Sequence, residues 1–175
     1  MSCILITGGA RAGKSSFAQK LAAESGGKVL FVATAEARDE DMRRRIEKHQ
    51  KSRPSNWKTL ESPSEVAKAI SQNGGEYEVV VIDCITMLVS NVMLAADDER
   101  TAESAVINEI EALIKAMQTK PSAFIVVSNE VGLGIVPDNE LSRNYRDLLG
   151  RANQLMAQYA DEVYFMVAGI PVKIR

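Results

Sequence analysis

ILITGGARAGKSSFAQKLA, residues 4–22, decides the fold of this chain. An unbroken apolar run ends on glycine, a tight glycine-rich turn follows, and a helical pattern begins at Lys14. Gly8, Gly9, Ala10, Arg11, Ala12, Gly13, Lys14 and Ser15 fit the spacing G-x-x-x-x-G-K-[S/T] in its diagnostic setting, after a strand and before a helix. The glycines let backbone N–H groups turn inward around a β-phosphate, and the N-terminus of the helix adds partial positive charge. Lys14 then reaches the β- and γ-phosphates, and Ser15 is a ligand for Mg²⁺. A glycine-rich turn that merely contains Lys-Ser would not require both flanking elements.

Working outward, GKVLFVAT (27–34), EVVVIDC (78–84) and SAFIVVSN (122–129) are further apolar runs without alternation, as are EVYFMVAG (162–169) and, after it, PVKI (171–174). Such runs belong to strands buried on both faces of a parallel sheet. Helical patterns separate them. KSSFAQKLAAES stops at Gly26–Gly27, and residues 103–117 and 139–160 carry apolar residues at helical spacing. SPSEVAKAISQNGG predicts a capping box from Ser62 and Glu65, with Pro63 at the first helical position. The alternation predicts an α/β, P-loop NTPase-like three-layer domain with a mostly parallel central sheet, spanning residues 1–175 as one unit. Residues 36–61 fit it least: a charged helix, EARDEDMRRRIEKHQ, then a strand-like NWKTLE, read together as an insertion that adds function.

Composition excludes several classes. The 175 residues are 46% hydrophobic and 25% charged with a net charge of −2, which leaves no general nucleic-acid footprint. Cys3 and Cys84 lie far apart in apolar runs, without metal-ligand spacing, and read as buried thiols of a reducing compartment. No apolar run reaches membrane-spanning length, so a cytoplasmic protein without membrane insertion is expected.

Asp83 closes VVVID, the place where a second acidic group holds Mg²⁺ directly or through water; the plainer reading is a cap on the next turn. His49, the chain's single histidine, lies in RRRIEKHQKSRPSNW (43–57) among arginines and lysines. Cationic neighbours favour the neutral, nucleophilic form of an imidazole. With a triphosphate bound, such an imidazole could attack the α-phosphorus, with Lys51 and Arg53 stabilising the leaving phosphates. Chemistry alone leaves this open beside a solvated helix face. The phosphate motif establishes a nucleoside triphosphate enzyme without saying which one.

ILITGGARAGKSSFAQKLA, FVATAEARDEDMRRRIEKHQKSRPSNWKTLES, VVVIDCITMLVSN, VVSNEVGLGIVPDNELSRNYRDLLGRANQ and ADEVYFMVAGIPVKI together resemble the bifunctional adenosylcobinamide kinase / adenosylcobinamide-phosphate guanylyltransferases, in order and over nearly the whole chain. The specific parts are R-I-x-x-H-x-x-x-R-P and N-E-V-G-x-G-I-V-P. The resemblance implies phosphorylation of adenosylcobinamide with ATP or GTP. It then implies transfer of GMP from GTP through a guanylyl-histidine, giving adenosylcobinamide-GDP during assembly of the coenzyme B12 nucleotide loop. It places the guanylylated histidine at His49, the triphosphate on Gly8 to Ser15, and further nucleotide contacts at Thr34, Ala35, Glu36, Gln50, Lys51, Ser52, Arg53, Glu61 and Asp83. It also implies Mg²⁺, corrinoid as substrate and a homotrimer with active sites near subunit contacts. Ala12 stands where serine is frequent, Asp83 where glutamate also occurs, and Lys48 where many members carry a second histidine.

Two rivals follow from the phosphate motif alone: a small-molecule kinase with an inert His49, and a nucleotide-dependent switch. One triphosphate cannot offer its γ- and α-phosphorus to the same place without motion, so movement of residues 36–61, or two nucleotide registers, is expected. Glu130, in a glycine-bearing loop after the fourth strand, is a candidate border of the corrinoid site. Arg143, Arg146 and Arg151 are read as solvated or inter-subunit, and Trp57 as packing under the inserted segment, with stacking on a base as the alternative.

Overall fold

The computed structural model describes residues 2–51, 53–73 and 76–175, with Arg45 described by its backbone only. Seven strands form one sheet: β1 Cys3–Gly8, β2 Val29–Ala33, β3 Lys58–Glu61, β4 Val79–Asp83, β5 Ala123–Val127, β6 Glu162–Val167 and β7 Ile170–Lys173. Their order is β3-β2-β4-β5-β1-β6-β7. Every pairing is parallel except the closing β6–β7 hairpin. β2 and β4 are buried on nearly every residue, the mark of central strands covered on both faces.

Among the described residues, six α-helices flank the sheet: α1 Lys14–Glu24, α2 Glu40–Lys51, α3 Val66–Asn73, α4 Ile85–Leu94, α5 Glu99–Gln118 and α6 Glu140–Tyr159. Two apolar cores result. Val66, Leu88, Ile110 and Leu149 of α3, α4, α5 and α6 pack with Leu5, Leu30 and Val80 on one face. Ala18 and Ala22 of α1 pack with Ile6, Phe31 and Val127 on the other, smaller one. Helices therefore cover both faces, the expected α/β architecture.

Two local expectations change. α3 starts at Val66, beyond the anticipated capping box. The Ser62 hydroxyl instead donates to the Ser64 carbonyl at 2.8 Å, and Glu65 adopts φ 51°. The Val66 amide donates to the Glu109 carboxylate of α5 at 2.8 Å, so a cap from a neighbouring helix supplants the local one. Second, α4 is a helix that the strand–helix alternation did not mark, because ITMLVSNVML is apolar nearly all round and lacks an amphipathic period. Residues 36–61 supply α2 and the edge strand β3.

The parallel order brings the C-terminal ends of β1, β2, β3, β4 and β5 to one edge. Ligands of open α/β sheets bind along that edge. Gly8, at the end of β1, has φ 138°, and a Cβ there would lie 2.6 Å from the Met166 carbonyl oxygen of β6. Gly8→Ala is therefore expected to cost about 3 kcal/mol through strain and overpacking. Thermal unfolding of a chain this size should fall by roughly 6–12 °C, measured by calorimetry.

Candidate active site

The loop after β1 is shaped by its own backbone. The Ala12 amide donates to the Gly9 carbonyl at 3.3 Å, and Gly13 turns at φ 93° to open α1. α1 has no side-chain cap and no acidic residue in its first turn, whereas Asp98 and Asn139 cap α5 and α6. Its first N–H groups are thus left facing the loop, as an anion site needs. The Gly169 amide, from the β6–β7 turn, donates to the Ala12 carbonyl at 3.1 Å, and the Glu130 amide donates to the Gly8 carbonyl at 3.0 Å. Ala10 and Arg11 are exposed at the loop tip, and Arg11 has φ 58°.

Lys14 is buried, and its ammonium donates to the Gly9 carbonyl at 2.6 Å. Burial lowers its pKa, opposed by the nearby Cys84 and Asp83. Asp83 lies at the end of β4 and accepts a hydrogen bond from Ser15. Burial raises the Asp83 pKa; the Ser15 hydroxyl, then His49, Arg53 and Lys14, pull it back. The side chains that lower the Asp83 pKa were all singled out in the sequence, in the glycine-rich loop or the inserted segment.

A carboxylate whose folded-state pKa is raised favours the fold below its unfolded pKa and loses that contribution as pH climbs through the folded value. Ionising Asp83 consequently costs the fold stability at neutral pH. Asp83→Asn should raise the thermal midpoint at pH 7, and the gain over wild type should shrink as pH is lowered toward 4. Paired thermal melts across that range check it. The same substitution should impair turnover, the expected signature of a residue kept for chemistry rather than stability.

His49 sits exposed in the last turn of α2, beside Lys48 and Lys51, also exposed. The expected basic cluster is milder than its sequence. Arg43 and Arg44 pair with Glu40, Arg38 with Glu36, and Arg53 with Glu61. Arg53 is the exception in environment. Its side chain is 8% exposed, and its guanidinium carbon lies 4.1 Å over the Phe31 ring, which stacks on Trp57. Trp57 thus packs beneath the inserted segment, as expected. Glu61 lies 3.6 Å from one Arg53 nitrogen and accepts from Gln50 at 3.2 Å. The Arg53 Nε and one terminal nitrogen are buried without hydrogen-bond partners. Burial lowers its pKa, opposed by Glu61 and Asp83. A desolvated guanidinium with spare donors beside Asp83 is suited to phosphate oxygens.

The remaining assignments divide. Thr34 is fully buried, and its hydroxyl both donates to the Cys84 carbonyl and accepts from the Cys84 amide, each at 2.7 Å. That side chain joins the ends of β2 and β4 and has no hydrogen left for a ligand. Ala35 is half-buried, and Glu36 is exposed and paired with Arg38. Ser52 lies outside the described residues. Glu130 accepts from the Gly132 amide at 2.6 Å, holding its own loop, while Leu133, Ile135 and Val136 of that loop are exposed. Arg146 and Arg151 pair with Asp147 and Glu103, and Arg143 donates to the Pro137 and Asp138 carbonyls. The two thiols are pushed up to about 12 by burial, which makes them structural.

Asn91 was missed. It is buried in α4, and its amide donates to the Thr34 carbonyl at 2.8 Å and to the Pro63 carbonyl at 3.0 Å. It ties the loops after β2 and β3 together. The available signal was an amide side chain inside an otherwise apolar run.

The family model for cobinamide kinase / cobinamide phosphate guanyltransferase matches residues 4–174. The chain belongs to that family. The family's members are bifunctional enzymes of cobalamin biosynthesis by name. The chain is 41% identical over 180 residues to bifunctional adenosylcobalamin biosynthesis protein CobU of Escherichia coli (strain K12), covering 98% of this chain and 99% of the relative. It is 42% identical over 171 residues to the CobP protein of that name from Pseudomonas aeruginosa, covering 98% and 96%. The crystal structure of the RadB recombinase superposes with a TM-score of 0.53 over 94% of this chain and 73% of that one, at 14% identity. That likeness concerns the P-loop fold alone. Among the described residues, no helix is long and apolar enough to cross a membrane.

Proposed function

We propose that this enzyme phosphorylates adenosylcobinamide at its aminopropanol hydroxyl and then guanylylates the product through His49. The observation that carries the reading is the pair of buried cations near the strand ends: Lys14, whose ammonium rests on the Gly9 carbonyl of the glycine-rich loop, and Arg53, stacked on Phe31 with Nε and one terminal nitrogen lacking hydrogen-bond partners. In the first step the acceptor hydroxyl attacks the γ-phosphorus of ATP or GTP; the bond to the β-phosphate oxygen breaks, the nucleoside diphosphate leaves and the hydroxyl proton is lost. In the second, a neutral His49 nitrogen attacks the α-phosphorus of GTP and pyrophosphate leaves. The phosphate of adenosylcobinamide phosphate then attacks that phosphorus, the P–N bond breaks, and adenosylcobinamide-GDP departs with the imidazole restored.

Lys14 and the N–H groups of the loop hold the β- and γ-phosphates, and Arg53 presents the two nitrogens that lack hydrogen-bond partners to the charge that builds on the leaving group. Mg²⁺ fits the donor set: the hydroxyl of Ser15 and the carboxylate of Asp83 touch, and an ion that keeps waters and takes phosphate oxygens needs little more from the protein. When bound, it draws charge from the phosphoryl oxygens. Gln50, Lys51 and Glu61 frame the nucleotide beside His49, and residues 36–61 shift between the two steps. A homotrimer in the cytoplasm completes the proposal; the exposed Leu133, Ile135 and Val136 support a subunit contact.

The test uses GTP labelled separately at the α- and γ-phosphorus, mixed with protein and Mg²⁺ and then denatured. Acid-labile, alkali-stable label from the α-position alone is expected, since a phosphoramidate has that stability. Absence of label from both positions would leave a simple kinase or a switch.

A further inference from the structure

Beside the nucleotide centre, on the face of the sheet opposite α1, lies an open groove of about 650 Å³. Its rim carries Glu36, paired with the one rim cation, Arg38, Glu109, one of whose oxygens caps α3, and Asp97, so carboxylates outnumber the cation. Its floor is small and apolar: Val92, Ala95, Ala96 and Ala105. No feature of the phosphate chemistry above uses it. Three carboxylates repel a triphosphate, so the groove is wrong for the donor nucleotide. They suit a cationic ligand whose edge presents N–H groups.

Position links the groove to the reaction. Asn91 borders it and at the same time fixes the Thr34 and Pro63 carbonyls at the nucleotide edge. α4 begins at Ile85, two residues after Asp83, and Asn91 lies six residues into it, about 9 Å along a helix rising 1.5 Å per residue. An alkylcobalt corrin is a monocation ringed by primary amides. Its propionamide–aminopropanol arm spans roughly 9 Å, the reach of between two and three extended residues. We propose that the groove seats an amide-bearing edge of the corrin ring, with the arm running back along α4 to the phosphates. The wide mouth matters, since such a ring exceeds the groove and must lie half outside it. This rests on the function proposed above and assigns that function its acceptor site.

Ala95→Trp fills the floor and Asp97→Lys reverses a rim charge; both residues are exposed, so neither burdens the core. Adenosylcobinamide binding is read by equilibrium dialysis, with the kinase KM for corrinoid and for ATP beside it. Label transfer from α-labelled GTP to His49, without corrinoid, reports an intact nucleotide site. A tenfold or greater loss of corrinoid affinity in both variants, with ATP KM and histidine labelling within twofold of wild type, is the expected result. Unchanged corrinoid affinity in variants of an active wild type overturns the groove and leaves the function standing. So does a change in sedimenting mass with corrinoid affinity intact, which would assign the groove to a second copy of the chain. A wild-type protein that labels His49 yet neither binds nor phosphorylates adenosylcobinamide overturns the substrate reading itself, and the groove's ligand with it.

Discussion

His49→Ala should abolish guanylyl transfer, by a factor of about 10⁴ or more, while the kinase rate stays within about threefold of wild type. The asymmetry follows from where the imidazole sits. It is exposed on the last turn of α2, whereas the groups at the phosphate loop, Lys14 and Ser15, belong to α1. Removing it deletes the only imidazole available to form a P–N bond, since the chain has one histidine. It removes nothing that holds the γ-phosphate. Adenosylcobinamide phosphate should accumulate in the mutant reaction, and separate assays of the two steps would show it. Kinase activity that fell in step with guanylylation would make His49 a nucleotide-binding group rather than a covalent carrier.

Lys14→Met should have the opposite signature, a loss of both activities by roughly 10²–10³ each. The ammonium is buried, held by the Gly9 carbonyl, and its field reaches Asp83. A methionine of similar length fills the space and removes the charge, so the loop keeps its shape and loses its grip on the β- and γ-phosphates. Both reactions start from a triphosphate held there, so both suffer. Retained guanylylation in this variant, measured by α-label on His49, would place GTP for that step away from the loop.

These two signatures were legible in the sequence because each rests on a residue type that nothing nearby can replace. The strands were legible too, since apolar runs such as VVVID and FIVV lack the alternation of half-exposed sheets. What escaped detection was decided by neighbours distant in sequence. The Ser62–Glu65 box loses to Glu109, forty-three residues on from the amide it caps. The charges around His49 read as basic because Glu40 and Glu61 are paired with the arginines only once α2 and β3 are in place. Thr34 looked like a ligand contact, but its hydroxyl is taken by Cys84, fifty residues away. Arg53 emerged as more than one of several cations only through its burial on Phe31.

The sheet order carries a consequence for synthesis. β1 and its glycine-rich loop are made well before the strands they pair with: Cys3 lies opposite Phe124 of β5, and Ile4 opposite Glu162 of β6. The loop is then pinned by Gly169. On a nascent chain β1 therefore stays unpaired until β5 and β6 have been made. Nucleotide affinity should appear only once β6 and the turn bearing Gly169 have emerged. C-terminal truncations that stop before Gly169 should accumulate as aggregates rather than as weak enzymes.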